Sequence, residues 1–86
     1  MDIERLKAQA ESFPAKAQLG IGLGFFKGVP EKGIPQDYQE AVKWFRKAAL
    51  QGEAHAQYWL GRSYISALGI NYDIAEAVKW MQKAAD

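Results

Sequence analysis

The string Ala41-Val42-Lys43-Trp44 returns unchanged as Ala77-Val78-Lys79-Trp80, and Lys47-Ala48-Ala49 returns as Lys83-Ala84-Ala85, both after 36 residues. An internal period of this size marks units that cannot bury their apolar face alone and therefore stack side by side. The chain is expected to be a short solenoid whose function lies in the shape of a surface rather than in a reaction. With 86 residues and 49% hydrophobic content, there is material for one thin core and not for two.

The second half of each unit carries helix signals. Asp37 precedes Tyr38-Gln39-Glu40 and Asp73 precedes Ile74-Ala75-Glu76. An aspartate there accepts from the free N–H groups of the first turn, while the glutamate three residues on is expected to reach back. Lys47 and Lys83 suit the negative helix ends, and Gly52 supplies the left-handed residue that stops the first of these helices. Ala41, Val42, Trp44, Phe45, Ala48 and Ala49 recur at helical spacing, as do Ala77, Val78, Trp80, Met81, Ala84 and Ala85, so both faces are expected to be core.

The first half of each unit also reads as a helix. Ala15, Ala17, Gln18, Ile21, Gly22 and Phe25 are answered by Ala54, Ala56, Gln57, Leu60, Gly61 and Tyr64 at an offset of 39. The three extra residues fall between the helices, where Gly28 to Gln36 is longer than Ala67 to Tyr72. Gly22 and Gly61 each cost about 1 kcal/mol of helix propensity, so each needs close approach of a neighbouring helix. The tryptophan of the second helix is the side chain expected over them.

Together these positions, A-x-A-Q-x-x-L-G-x-x-Y, a glycine-bearing loop ending G-[VI]-x-x-D, and A-x-x-W-x-x-x-A-A, resemble the Sel-one-like repeat (SLR), a relative of the tetratricopeptide repeats, over residues 15 to 86. The resemblance implies an all-α solenoid of antiparallel helix pairs in a right-handed superhelix. Its concave face, lined by the first helix of each pair, would bind proteins or peptides, and no reaction is implied. Trp44 and Trp80 take the family's structural tryptophan positions, and Gly22, Phe25, Gly61 and Tyr64 its other repeat positions. One domain is expected over residues 1–86: an N-terminal cap at 1–14, a first repeat at 15–52 and a second at 53–86. Within the cap, Ile3, Leu6 and Ala10 precede Val42, Phe45 and Ala49 by 39 residues, as a worn second helix would, with Arg5 in the tryptophan's place and Phe13 in that of the terminal glycine. About two and a half units are marginal where three are usual, so the chain is expected either to self-associate through its open C-terminal end or to be a piece of a longer array.

By tetratricopeptide analogy, a second stripe on the first helices faces the groove. It comprises Leu19, Leu23 and Phe26 flanked by Lys16 and Lys27 in unit one, and Tyr58, Arg62 and Ile65 flanked by His55 and Ser66 in unit two. An apolar strip with a tyrosine and an arginine has hot-spot composition. For Leu19, Leu23 and Phe26 the competing expectation is packing under the cap. Trp59, which replaces Gly20, is either an inter-repeat contact or an exposed anchor.

Other chemistry is thin. There is no cysteine, which suits a reducing compartment and points to a cytoplasmic location, and one histidine, His55, which reads as a surface residue rather than a metal ligand. The run Gly20-Ile21-Gly22-Leu23-Gly24 lacks the third glycine of a dinucleotide loop and the ending of a phosphate loop. No cofactor or metal is expected. A net charge of +1 with mixed signs argues against a nucleic-acid partner, and no apolar run is long enough for a membrane span. The leading function is a non-enzymatic adaptor or scaffold that holds a protein or peptide partner. A small immunity protein that blocks a toxin is the alternative, as some family members resemble, and a beta-lactam-binding or hydrolysing enzyme, by resemblance to cysteine-rich relatives, is the remote one.

Overall fold

A computed structural model describes residues 3–86; Met1 and Asp2 of the expected cap lie outside the described residues. Five helices follow in order: α1 (Ile3–Ala10), α2 (Ala15–Lys27), α3 (Tyr38–Leu50), α4 (Ala54–Ser66) and α5 (Ile74–Ala85). Helix α2 packs on α3, α4 on α5, and α3 joins the two pairs, giving an all-α solenoid with extents of 37 × 23 × 16 Å. The longer linker holds a 3-10 turn at Pro30–Lys32 and an isolated antiparallel bridge between Val29 and Ile34. Among the described residues no helix is long and apolar enough to cross a membrane.

The aspartate caps form as their chemistry requires. Asp37 Oδ1 accepts from the Glu40 N–H at 3.1 Å, and Asp73 Oδ1 from the Glu76 N–H at 3.0 Å. The reciprocal glutamate arm differs from expectation. The Asp37 N–H that Glu40 would have taken donates to the Phe25 carbonyl at 2.8 Å, and the Asp73 N–H donates to the Tyr64 carbonyl at 3.3 Å. The start of each second helix is thereby stitched to the last turns of its first helix, and the glutamates turn to lysines instead. At the other end of α3, Gly52 has φ of 91°, the Glu53 N–H reaches Ala48 O and the Gly52 N–H reaches Ala49 O. These two bonds make a complete Schellman stop.

The core corrects two expectations. On α3 all six expected residues are buried, whereas on α5 only Ala77 and Trp80 are; Val78 is 46% exposed and Ala85 is exposed. The two helices have the same sequence pattern, but α4 covers the far side of α3 and nothing among the described residues covers that side of α5. The second correction concerns the glycines. A Cβ at Gly22 would lie 2.7 Å from the Phe45 ring and 3.3 Å from Ala41 O, and one at Gly61 would lie 2.7 Å from Met81 Cγ and 3.1 Å from Ala77 O. The contact is with the residue after each tryptophan. Positions 41 and 45, and 77 and 81, are four apart and so form one ridge, while the tryptophans sit about 100° away. Trp44 and Trp80 are buried as expected, each with a lysine ammonium (Lys47, Lys83) over its ring at 5.6 and 4.8 Å.

Helix α1 repeats one contact that α3 makes with α4, but lies against α2 far more loosely. The buried Gln18 amide donates to Ala10 O at 3.2 Å, and Gln57 donates to Ala49 O at 3.2 Å. Lys7 lies 5.7 Å from the Phe25 ring centre, and Arg46, 39 residues on, donates to the Tyr64 hydroxyl at 3.2 Å. Ala10 is fully buried, Ile3 and Leu6 are partly buried, and Arg5 is exposed. Two ion pairs tie α1 to α3: Lys7–Glu40 at 3.2 Å, and, from the residue after the helix, Glu11–Lys47 at 2.9 Å. Partial burial opposes the charge on Glu40, but hydrogen bonds from Lys7 and Lys43 and their charges outweigh it and hold the carboxyl below its ordinary 4.5. Burial likewise opposes the charge on Lys7, and Glu40, with a smaller contribution from Glu4, raises that amine above its ordinary 10.5.

Two predictions follow from these contacts. Gly22→Ala is expected to lower stability by about 1–2 kcal/mol, a Tm loss of roughly 5–10 °C, because crowding a rigid ring outweighs the propensity gain. Gly61→Ala is expected to cost less, since Met81 is unbranched and flexible; thermal unfolding of both variants checks the order. For the cap, a depressed carboxyl contributes stability above 4.5 that is lost as pH falls through its folded value, and a raised amine contributes below 10.5 and is lost as pH rises through its own. Amide protection of residues 3–10, corrected for intrinsic exchange, is expected to drop on the acid side before that of α3 does.

Candidate functional site

Helices α2 and α4 present the same positions to different surroundings. With Gly22 directed at α3, helical periodicity places Leu19 and Phe26 about 50° to one side and Lys16, Leu23 and Lys27 further round toward solvent. The Phe26 ring lies 5.1 Å from Tyr38, 6.1 Å from Phe45 and 5.2 Å from Trp59. Leu19, Leu23 and Phe26 are all partly buried against the core. Phe26 thus helps seat α4 of the next unit. The hollow between α1 and α2 is walled on the α2 side by Ala17, Gly20, Ile21, Gly24 and Phe25.

At the corresponding positions of α4, Tyr58 and Ile65 are 45% and 41% exposed, and Arg62 is exposed. They occupy the same register as Leu19, Phe26 and Leu23, with no further unit over them among the described residues. His55 and Ser66 are exposed on the same helix, as are Lys16 and Lys27 on α2. Tyr58 and His55 also edge a shallow hollow of about 290 Å³ shared with Met81, Ala84 and Ala85.

Trp59 is the residue that organises this surface. Its ring stacks on Phe45 at 6.0 Å, meets Phe26 at 5.2 Å and has Tyr58 edge-on at 5.9 Å. The Arg62 guanidinium lies 5.3 Å from the Trp59 ring centre and 5.9 Å from that of Tyr58. Trp59 is therefore an inter-repeat contact on one side and a platform for Arg62 on the other. The only sequence signal for it was the replacement of Gly20 by a tryptophan between otherwise matching units.

Electrostatically the surface is positive. Among the described residues no carboxylate pairs with Lys16, Lys27 or Arg62. His55 Nδ1 stands 3.5 Å from Glu53, whose carboxylate caps α4 by accepting from the His55 and Ala56 N–H groups. The glycine run Gly20 to Gly24 lies inside α2, so its N–H groups serve the helix rather than a loop. Among the described residues no group of three or more His, Cys, Asp or Glu is placed to hold a metal. What these side chains offer is recognition by aromatic faces, a guanidinium and two ammonium groups.

Residues 15–53 and 54–86 each match the Sel1 repeat family. The chain is 34% identical over 68 residues to the ERAD-associated E3 ubiquitin-protein ligase component HRD3A of Arabidopsis thaliana, covering 79% of this chain and 10% of that protein. It is 44% identical over 48 residues to the secretory immunoglobulin A-binding protein EsiB of Escherichia coli, covering 56% and 9%. Among solved structures, a Sel1 repeat protein from Oxalobacter formigenes superposes with a TM-score of 0.77 at 44% identity, over 83% of this chain and 27% of that one. A protective antigen present in uropathogenic Escherichia coli strains, with an SLR fold, superposes with a TM-score of 0.81 at 44% identity, over 99% and 18%. The chain spans about a tenth of the length of the curated relatives it matches.

Because Trp59 is packed between repeats and Tyr58 is not, Trp59→Ala is expected to cost about 2–3 kcal/mol and Tyr58→Ala less than about 1 kcal/mol. Urea unfolding followed by circular dichroism measures both.

Proposed function

The chain belongs to the Sel1 repeat family, and on that footing we propose that it is a non-enzymatic interaction module that holds a protein or peptide partner against the solvent faces of α2 and α4. The observation that carries this reading is the exposed, acid-free Arg62 stacked on Tyr58 and Trp59. Arginine and aromatic side chains are the residues in which binding energy concentrates. Lys16 and Lys27 extend the positive row onto α2, so the partner segment combines an apolar or aromatic anchor with carboxylates. The reading is supported by the names of two relatives, one an immunoglobulin-binding protein and the other a component of a ligase assembly. A non-catalytic role accords with the engagement of Asp37 and Asp73 as helix caps and with the exposed position of His55. The α4–α5 end, uncovered among the described residues and with Ile74 and Val78 half exposed, supports self-association as a second property of the module, with a longer array of repeats as the alternative.

Affinity capture from native lysate, comparing wild type with the Tyr58→Ala/Arg62→Glu double variant after circular dichroism has shown both folded, tests the surface. A partner is expected to be retained by wild type and its affinity for the variant reduced on the order of a hundredfold. The same partners bound equally by both proteins would remove the assignment.

A further inference from the structure

We propose that α1 competes with a second copy of this chain: the α4–α5 end of one molecule docks head-to-tail on α2 of another and displaces the second molecule's α1 from its seat. The inference rests on the self-association reading and names the acceptor surface and its built-in competitor.

Three helices share one register. Ile3, Val42 and Val78 are equivalent, as are Leu6, Phe45 and Met81, and Ala10, Ala49 and Ala85. The seat of α1 on α2 shares with that of α3 on α4 the buried glutamine amide that donates to the carbonyl of the last alanine, but α1 packs there much more loosely. Helix α1 fills it poorly. Phe45 stacks on Trp59 at 6.0 Å, but the matching pair in the first unit is Leu6 and Gly20, and an apolar hollow of about 320 Å³ remains there, lined also by Ile3, Ile21 and Ile34. Of the eight residues of α1, only Ala10 is buried.

The opposite end of the molecule presents the complementary half of the same interface. Val42 is 5% exposed and Val78 46%, and Ala49 is buried while Ala85 is exposed. Helix α4 packs on α3 and its Gln57 reaches Ala49 O, so the uncovered face of α5 fits a helix with α4's pattern. The other helix in this chain with that pattern is α2, through Ala15, Ala17, Gln18, Ile21, Gly22 and Phe25. Docked in register, α5 brings Ala85 O to Gln18 of the second copy and Met81 to the hollow beside Gly20. It cannot do so while α1 is in place.

One of the two ion pairs that tie α1 down is restored in the exchange. The exposed pair Glu11–Lys47 at 2.9 Å is broken when α1 leaves, and Asp86, which stands in the register of Glu11, returns a carboxylate to Lys47 of the second copy. The Lys7–Glu40 pair is lost, since Gln82 stands in the register of Lys7. The Glu11–Lys47 pair, being largely exposed, holds α1 only weakly, and the part-buried Lys7–Glu40 pair is the tie that the exchange must outweigh.

The test uses the full chain. Sedimentation velocity over a concentration series compares wild type, Lys7→Glu/Glu11→Lys and Val78→Glu, with hydrogen exchange of the α1 amides read at each wild-type concentration. The charge reversals are expected to lower the association midpoint about tenfold, Val78→Glu to abolish association, and α1 protection to fall as concentration rises. If no protein associates at any concentration, the self-association reading falls and the competition with it. If wild type associates but its α1 protection is independent of concentration, self-association stands and the competition is overturned. This wild-type readout decides the matter should the charge-reversed variant fail to fold.

Discussion

Everything in this fold depends on two places where a helix touches its neighbour without a side chain between them. At Gly22 the ring of Phe45, and at Gly61 the thioether chain of Met81, occupy the space a Cβ would need. The approach lets two helix pairs bury whole aromatic rings in a chain of 86 residues. A chain this short has little apolar surface to spare, and contact at this range is how it reaches interior packing density. The loss in helix propensity at the two glycines is offset by that burial.

A second set of contacts fixes the order of the pairs. The Gln18 and Gln57 amides each donate to the carbonyl of the alanine near the end of the preceding helix. The backbone N–H groups of Asp37 and Asp73 donate to the last turns of α2 and α4. These helix ends are held by a neighbouring helix as well as by their own caps, so the elements are poorly separable. Gly69 belongs to the same set: a Cβ there would run into the Tyr38 carbonyl, which presses the second linker onto the start of α3.

Exposure then follows from position in the stack. The partly buried positions Leu19, Leu23 and Phe26 of the first unit, of which Phe26 meets Trp59 of α4, become Tyr58, Arg62 and Ile65, over which nothing lies among the described residues. Residue type changes with surroundings, from aliphatic and aromatic to an aromatic, a cation and an isoleucine. A stripe that is partly buried in one unit is therefore exposed in the next, although one periodic pattern generates both.

Much of this was legible in the residues themselves. The aspartate caps, the Gly52 stop and the buried faces of α3 follow from spacing and side-chain chemistry, because helix ends and faces are set within a few residues. The partner of each glycine, the loss of the reciprocal glutamate caps and the exposure of Val78 and Ala85 were not legible. Each depends on where a different helix lies: a turn of about 100° separates Trp44 from Phe45, and only the mutual approach of two helices selects between them. Trp59 shows the same limit, since its two roles as wedge and platform appear only once α2, α3 and α4 meet. The sequence by itself determined the repeat, its helices and their apolar sides. The tertiary structure decided which of those sides met another helix and which were left to water, because burial is a property of the neighbour as much as of the residue.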